Sequence, residues 1–171
     1  TTIQEWGREH AIAGSRLRQG RDAWDEADLF WDVPDRNDHT PTIWSDHKGK
    51  LFHFNGMAVE GGWHDLALLM RESNDNGATW TNPRVIAPKH GFGNMPISST
   101  FRRADGAICV PCDAVPGANG GSILHISKDD GKSWLLPSRG KPVPTFSSGK
   151  SGARIAGIHT GVDQWIDGSI V

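Results

Sequence analysis

Ser73-Asn74-Asp75-Asn76-Gly77-Ala78-Thr79-Trp80 and Ser127-Lys128-Asp129-Asp130-Gly131-Lys132-Ser133-Trp134 share the pattern Ser-x-Asp-x-Gly-x-Thr/Ser-Trp. That spacing describes a tight reversal. The Asp accepts hydrogen bonds from backbone N–H groups further along the turn, Gly supplies a positive φ without steric cost, and a hydroxyl satisfies another turn donor. The Trp then re-enters the next strand as a large apolar anchor. Each stretch therefore predicts a hairpin corner with its own packing peg.

Trp80 and Trp134 stand 54 positions apart, and one further step back reaches Trp24. Trp24 closes Ser15-Arg16-Leu17-Arg18-Gln19-Gly20-Arg21-Asp22-Ala23-Trp24, a degenerate copy in which Ser, Gly and Trp remain while the Asp is out of place. The implied repeat is about 55 residues long. Tight turns at His47-Lys48-Gly49-Lys50, Ala104-Asp105-Gly106-Ala107 and Ile166-Asp167-Gly168-Ser169 recur in the same register, each between strand-like runs. One unit reads strand, tight turn, strand, longer loop, strand, box, strand. This predicts an all-β chain of four-stranded antiparallel propeller blades.

Laid along the chain, that register gives part of a blade in 1–36, full blades in 37–88 and 89–140, and part of another in 141–171. The first full blade places strands near Thr42 to Ser45, Leu51 to Phe54, Leu66 to Arg71 and Arg84 to Ile86. The second places them near Ile97 to Arg102, Ala107 to Asp113, Ser122 to Ser127 and just after Trp134. Ala11 to Leu17 and Leu29 to Val33 are expected as outer strands of the first partial blade, and Gly157 to Trp165 as the opening strand of the last. The chain begins without Met and ends in a strand-like run, so it is expected to be a piece of a longer protein.

Composition excludes several classes. The 171 residues carry 22% charged side chains and a net charge of -2, with no basic excess for nucleic acid. No apolar run of about 18 residues predicts a membrane span, and no basic-flanked apolar stretch predicts a signal peptide. Cys109 and Cys112 would point to opposite faces of a strand, which argues against a disulfide or a two-thiolate site and for two inert thiols. Neither a metal nor a cofactor is expected.

The two boxes resemble the Asp-boxes, or bacterial neuraminidase repeats, of the sialidase superfamily, and Asp105-Gly106, Asp167-Gly168, Pro83 and Pro88 extend the likeness. The resemblance implies a six-bladed parent propeller, with seven blades in related folds, and places the boxes on the outer rim, away from the active site. Asp75, Gly77, Thr79, Trp80, Asp129, Gly131, Ser133 and Trp134 are accordingly read as structural.

Strand polarity puts the other loops on the opposite face. These are Asn37 to Pro41, Lys89 to Asn94, Ser151 to His159, Glu60 to Asp65 and Asp113 to Gly121. Four of the eight histidines, His39, His64, His90 and His159, fall there, with Glu60, Asp65, Asn94, Asp113 and Arg154 nearby. Histidine, carboxylate and arginine together are what proton transfer on an anionic sugar requires, and Trp63 or Phe92 offers a stacking face. The expected catalytic residues are His39, His159 and Asp65. The expected substrate-binding residues are Arg154, Asn94, His90, His64, Glu60 and Trp63. Taken singly, each is read first as satisfying loop backbone groups; only their convergence points to a site.

The resemblance further implies three arginines for the substrate carboxylate, an Asp acid/base and a Tyr–Glu nucleophile. Arg154 resembles a carboxylate-binding arginine, but the chain has no Tyr, so the nucleophile is not assigned. Three functions stay open: a sialidase-like exo-glycosidase, a related lyase acting on uronate sugars with His39 or His159 as base, and a non-catalytic glycan-binding propeller. The expected partner is a carbohydrate, with self-association through unpaired blade edges as a second expectation. Glycan substrates imply an extracellular or periplasmic setting.

Overall fold

The structure, a computed structural model, describes residues 7–59, 62, 65–91, 93–97, 99–113, 122–136, 146–147, 152–153, 159, 161, 165–167 and 169. Every regular element among the described residues is a strand. In chain order these are β1 (Glu9–His10), β2 (Ile12–Gly14), β3 (Asp28–Trp31), β4 (Arg36–Ser45), β5 (Leu51–Ala58), β6 (Leu66–Ser73) and β7 (Arg84–Gly91). They continue with β8 (Met95–Pro96), β9 (Phe101–Arg102), β10 (Ile108–Asp113), β11 (Ser122–Ser127), β12 (Phe146–Ser147) and β13 (Gly152–Ala153).

β4 to β7 form an antiparallel sheet in sequence order, and β1 joins the start of β4 in parallel. All four strands expected for this unit lie within it. The start of β4 differs from expectation, because Asn37 to Pro41 is strand rather than loop. The pairing slips between His39 and Thr42, and Thr40 there adopts φ 47°. A bulge frees one residue from the ladder, so Pro41, which has no N–H to offer, is accommodated. β7 also runs on to Gly91, so Lys89 and His90 belong to a strand end.

The second sheet is ordered β11-β10-β8, with β9 also paired to β10. The single strand expected over Ile97 to Arg102 is replaced by two short ones on opposite ends of β10, Pro96 opposite Cys112 and Phe101 opposite Cys109. Leu135 bridges Ile126 at the place of the short fourth strand. β2 pairs with β3 and β12 with β13. Most of Gly157 to Trp165 lies outside the described residues.

The core lies between the two large sheets. Phe52, Phe54, Leu68 and Met70 of the first meet Ile108, Val110, Cys112 and Ile123 of the second in one buried cluster. Each such side chain contributes about 1.5–3 kcal/mol by leaving water. Alternation turns the intervening residues the other way. His53 meets the rings of Phe30 and Trp31 at centroid distances of 4.9 and 6.4 Å. Arg71 Nε donates to His53 Nδ1 at 2.9 Å, while its guanidinium lies 4.3, 4.6 and 4.9 Å from the Phe30, Trp31 and Trp80 rings. Burial, then the Arg71 charge, pushes the His53 pKa down to about 3. The first sheet is thus covered on both faces.

Cys109 and Cys112 are buried free thiols, and only Cys112 joins the inter-sheet cluster. Burial pushes the Cys109 thiol up to about 11 and holds Cys112 well above its ordinary range, which removes thiolate reactivity.

Both boxes close as tight corners. In the first, Thr79 donates to Asp75 through its N–H at 2.8 Å and its hydroxyl at 2.6 Å, and Gly77 N–H reaches Ser73 Oγ at 2.7 Å. The second repeats this with Ser133 donating to Asp129 at 2.8 and 2.5 Å and Gly131 to Ser127 at 2.8 Å. Gly77 and Gly131 sit at φ 77° and 85°, where a side chain would be strained. The box tryptophans bind the sheets together, Trp80 edge-on to Phe30 at 5.5 Å and Trp134 edge-on to Phe54 at 5.5 Å. Residues 15–24 make no such corner. Trp24 is 66% exposed, and Ser15 and Arg18 instead hold Asp25, through its carbonyl at 2.5 Å and its carboxylate at 2.8 Å.

Candidate functional site

Register separates the box end of the sheets from the opposite end. Leu51 pairs with Ser73 at the box end, so Asn37, Ala58 and Leu66 lie together at the opposite end. In the second sheet Met95, Asp113 and Ser122 share that opposite end. Polar side chains tie its connections together. His90 Nδ1 donates to the Asp65 carbonyl at 2.9 Å, and Asn94 Nδ2 donates to the carbonyls of Leu66 and Lys89 at 2.8 and 2.9 Å. From β11, His125 Nε2 donates to the Gly93 carbonyl at 2.6 Å. Gly93 has φ 94°, and a Cβ there would run into Ile123.

A cavity of about 220 Å³ is framed by Thr40, Pro41, Thr42, Pro96, Ile97 and His159. It gathers the bulge of β4, the end of β8 and a residue far downstream. Thr40 and His159 both take left-handed backbone conformations, at φ 47° and 58°. For a β-branched residue this is a steric outlier, and strain of about 1–3 kcal/mol per residue concentrates at sites that use it. The buried Thr40 Oγ1 has no hydrogen-bond partner among the described residues.

His159 is held from β10. Its backbone N–H donates to Asp113 Oδ1 at 3.0 Å and Oδ2 at 3.3 Å, and its Nε2 stands 3.6 Å from Oδ2. The carboxylate side chain is 4% exposed and the imidazole 65%. Burial raises the Asp113 pKa, opposed by the His159 N–H, the His159 charge and the Ser122 hydroxyl. Asp38 is also raised by burial, although Val33 N–H, Trp31 Nε1 and Asn55 Nδ2 donate to it at 2.7, 2.8 and 2.8 Å. Its acceptors are spent on structure.

The expected residues divide. His159 lines the cavity, and His39 is the neighbour of the lining residue Thr40. Asp65, His90 and Asn94 join in tying the loops through the contacts above, and the buried Asn94 amide is already engaged. Glu60, Trp63, His64 and Arg154 lie outside the described residues. Thr40, Pro96 and the anchoring role of Asp113 were missed, since none carries a local motif. A larger groove of about 850 Å³ between the β2–β3 pair and the first sheet reaches Asn76 and Gly77 of the box. Arg16, Glu26 and Asp28 also line it, and Arg18 pairs with Asp25 at 2.8 Å.

The paired corners with their shared Asp, Gly and Trp geometry agree with a family model for the BNR repeat-like domain, which matches residues 3–146. The chain belongs to the BNR repeat-like domain family. This BNR chain is similar in fold to the Hadza microbial sialidase Hz136, at 16% identity and a TM-score of 0.60, covering 79% of this chain and 32% of the sialidase. It is also similar to a protein of unknown function from Dyadobacter fermentans, at 19% identity and a TM-score of 0.51, covering 78% of this chain and 45% of that one. The BNR chain thus spans about a third of the sialidase's length and under half of the other. No curated protein matches it. The likeness supports a propeller arrangement of the sheets; the described sheets form no closed ring.

Proposed function

We propose that the BNR chain forms part of a sialidase-type exo-glycosidase propeller, in which a terminal sugar of a glycan enters the end of the sheets opposite the boxes. The observation that carries this is the cavity where the β4 bulge, the β8 end and His159 converge. Its volume of about 220 Å³ is below the usual range for drug-sized ligands, which suits one sugar ring better than a chain of them. Pro41, Pro96 and Ile97 supply apolar walls, while Thr40 and His159 supply polar groups. Membership of a sialidase-like repeat family adds to the case.

The test is a panel of methylumbelliferyl glycosides, sialyl, hexosyl and uronyl, followed by fluorescence, with natural oligosaccharides analysed for single-sugar release. Liberation of one terminal residue is expected. Ultraviolet-absorbing unsaturated uronates would instead show elimination, and saturable glycan binding without turnover would show a binding module.

A further inference from the structure

We infer that His159 is the proton donor to the departing oxygen of the sugar held in the Thr40–Pro96–His159 cavity, and that Asp113 is its positioning residue. This rests on the glycosidase reading above. Three features argue for it. First, His159 is locked in a left-handed conformation, with its N–H shared between both oxygens of Asp113 at 3.0 and 3.3 Å. Second, Oδ2 of the same carboxylate lies 3.6 Å from the imidazole Nε2, so backbone and ring are oriented by one group. Third, the carboxylate is buried while the ring is open to the cavity, 4% against 65% exposed.

A carboxylate serving only to cap a loop would explain the backbone bonds, but not the approach of Oδ2 to the ring. A buried carboxylate bonded to the backbone and close to one ring nitrogen orients the imidazole and decides which nitrogen is turned outward. Nε2 faces the carboxylate, which leaves Nδ1 for the substrate. A separation of 3.6 Å is of the kind that shortens when substrate fills a site.

The chemistry balances without an added reagent. As the bond between the anomeric carbon and the bridging oxygen breaks, its electron pair stays on that oxygen, which takes the Nδ1 proton and departs as an alcohol. Water then adds to the anomeric carbon on the vacated side. Its surplus proton passes to the neutral imidazole, and the sum is one glycoside and one water converted to one alcohol and one free sugar with a hemiacetal or hemiketal at the anomeric carbon.

The test compares alkyl glycosides, whose leaving oxygen needs a proton, with aryl glycosides bearing a nitrophenolate that does not, using the glycosyl group the protein accepts. His159→Asn tolerates the left-handed backbone, and His159→Gln serves as a second variant, with circular dichroism reporting the fold of each. The expected loss in kcat/KM is about 100-fold or more on the alkyl substrates, the scale of general acid catalysis, and far less on the nitrophenyl ones. Asp113→Asn keeps one oxygen for the His159 N–H and should show the same leaving-group dependence to a smaller extent. Equal loss on both substrates, or none, overturns the inference and leaves the glycosidase reading standing. No turnover of any glycoside by the parent protein overturns both.

Discussion

Arg84 Nη2 donates to the Gly131 carbonyl at 2.6 Å, and its Nη1 reaches the Lys132 carbonyl at 3.2 Å. A β7 side chain of the first sheet thus grips the box corner of the second. Arg16 makes the equivalent bond to the Gly77 carbonyl of the first box. Both arginines terminate carbonyls that a positive-φ Gly turns outward. Arg84→Met is expected to cost about 1 kcal/mol, since charge-assisted bonds are worth more than this when buried and Arg84 is partly solvated. Urea unfolding should show a lower midpoint with unchanged slope.

Acid should loosen the box corners. Asp75 and Asp129 are both held down to about 2, mainly by the hydroxyl and N–H of Thr79 and Ser133. Their folded pKa lies below the ordinary 3.8, so the stability they provide is present above that value and is lost as pH falls toward 2. Thermal midpoints should decline through this window. Asp75→Asn and Asp129→Asn should be less stable at neutral pH and should flatten the decline.

His53 gives a separate signature at milder acidity. It stays neutral in the fold until about 3, whereas an unfolded histidine protonates near 6.5. The unfolded chain therefore binds the extra proton, and stability falls as pH drops from 6.5 toward 3. His53→Gln can still offer Arg71 Nε an acceptor while removing the titration. It should make the midpoint less pH-dependent over this upper window and leave the carboxylate window below it intact.

The boxes were legible in sequence because their geometry is local: Ser, Asp, Gly and hydroxyl sit within seven residues and bond to one another. The strands near Leu51, Leu66 and Ser122 were equally plain from apolar runs between turn residues. Asn37 to Pro41 misled because Asn, Asp and Pro imitate a loop, whereas register with β5 and a bulge make it strand. Trp24 misled because the Asp that would close its corner is missing, and the ring is left in solvent. The Asp113–His159 contact spans 46 positions, so nothing local could announce it.

The thiols offer a direct test of packing. Cys109 and Cys112 are both fully buried, with burial holding their protons on at neutral pH. A thiol reagent such as iodoacetamide should leave the native protein unmodified and label both after denaturation. Phe54→Ala, which removes the ring under Trp134, is expected to cost about 3–5 kcal/mol and to open both sites to slow labelling under native conditions.

Because Trp134 comes from one repeat and rests on Phe54 of the one before, the unit that melts is not the unit that repeats. Cutting the chain between β7 and β8 would strip a ring from the half before the cut and leave the ring after it without a seat. Hydrogen exchange should therefore protect β5 and β10 to the same degree and release them together. An added copy of the repeat is stable only when its neighbour's apolar face comes with it.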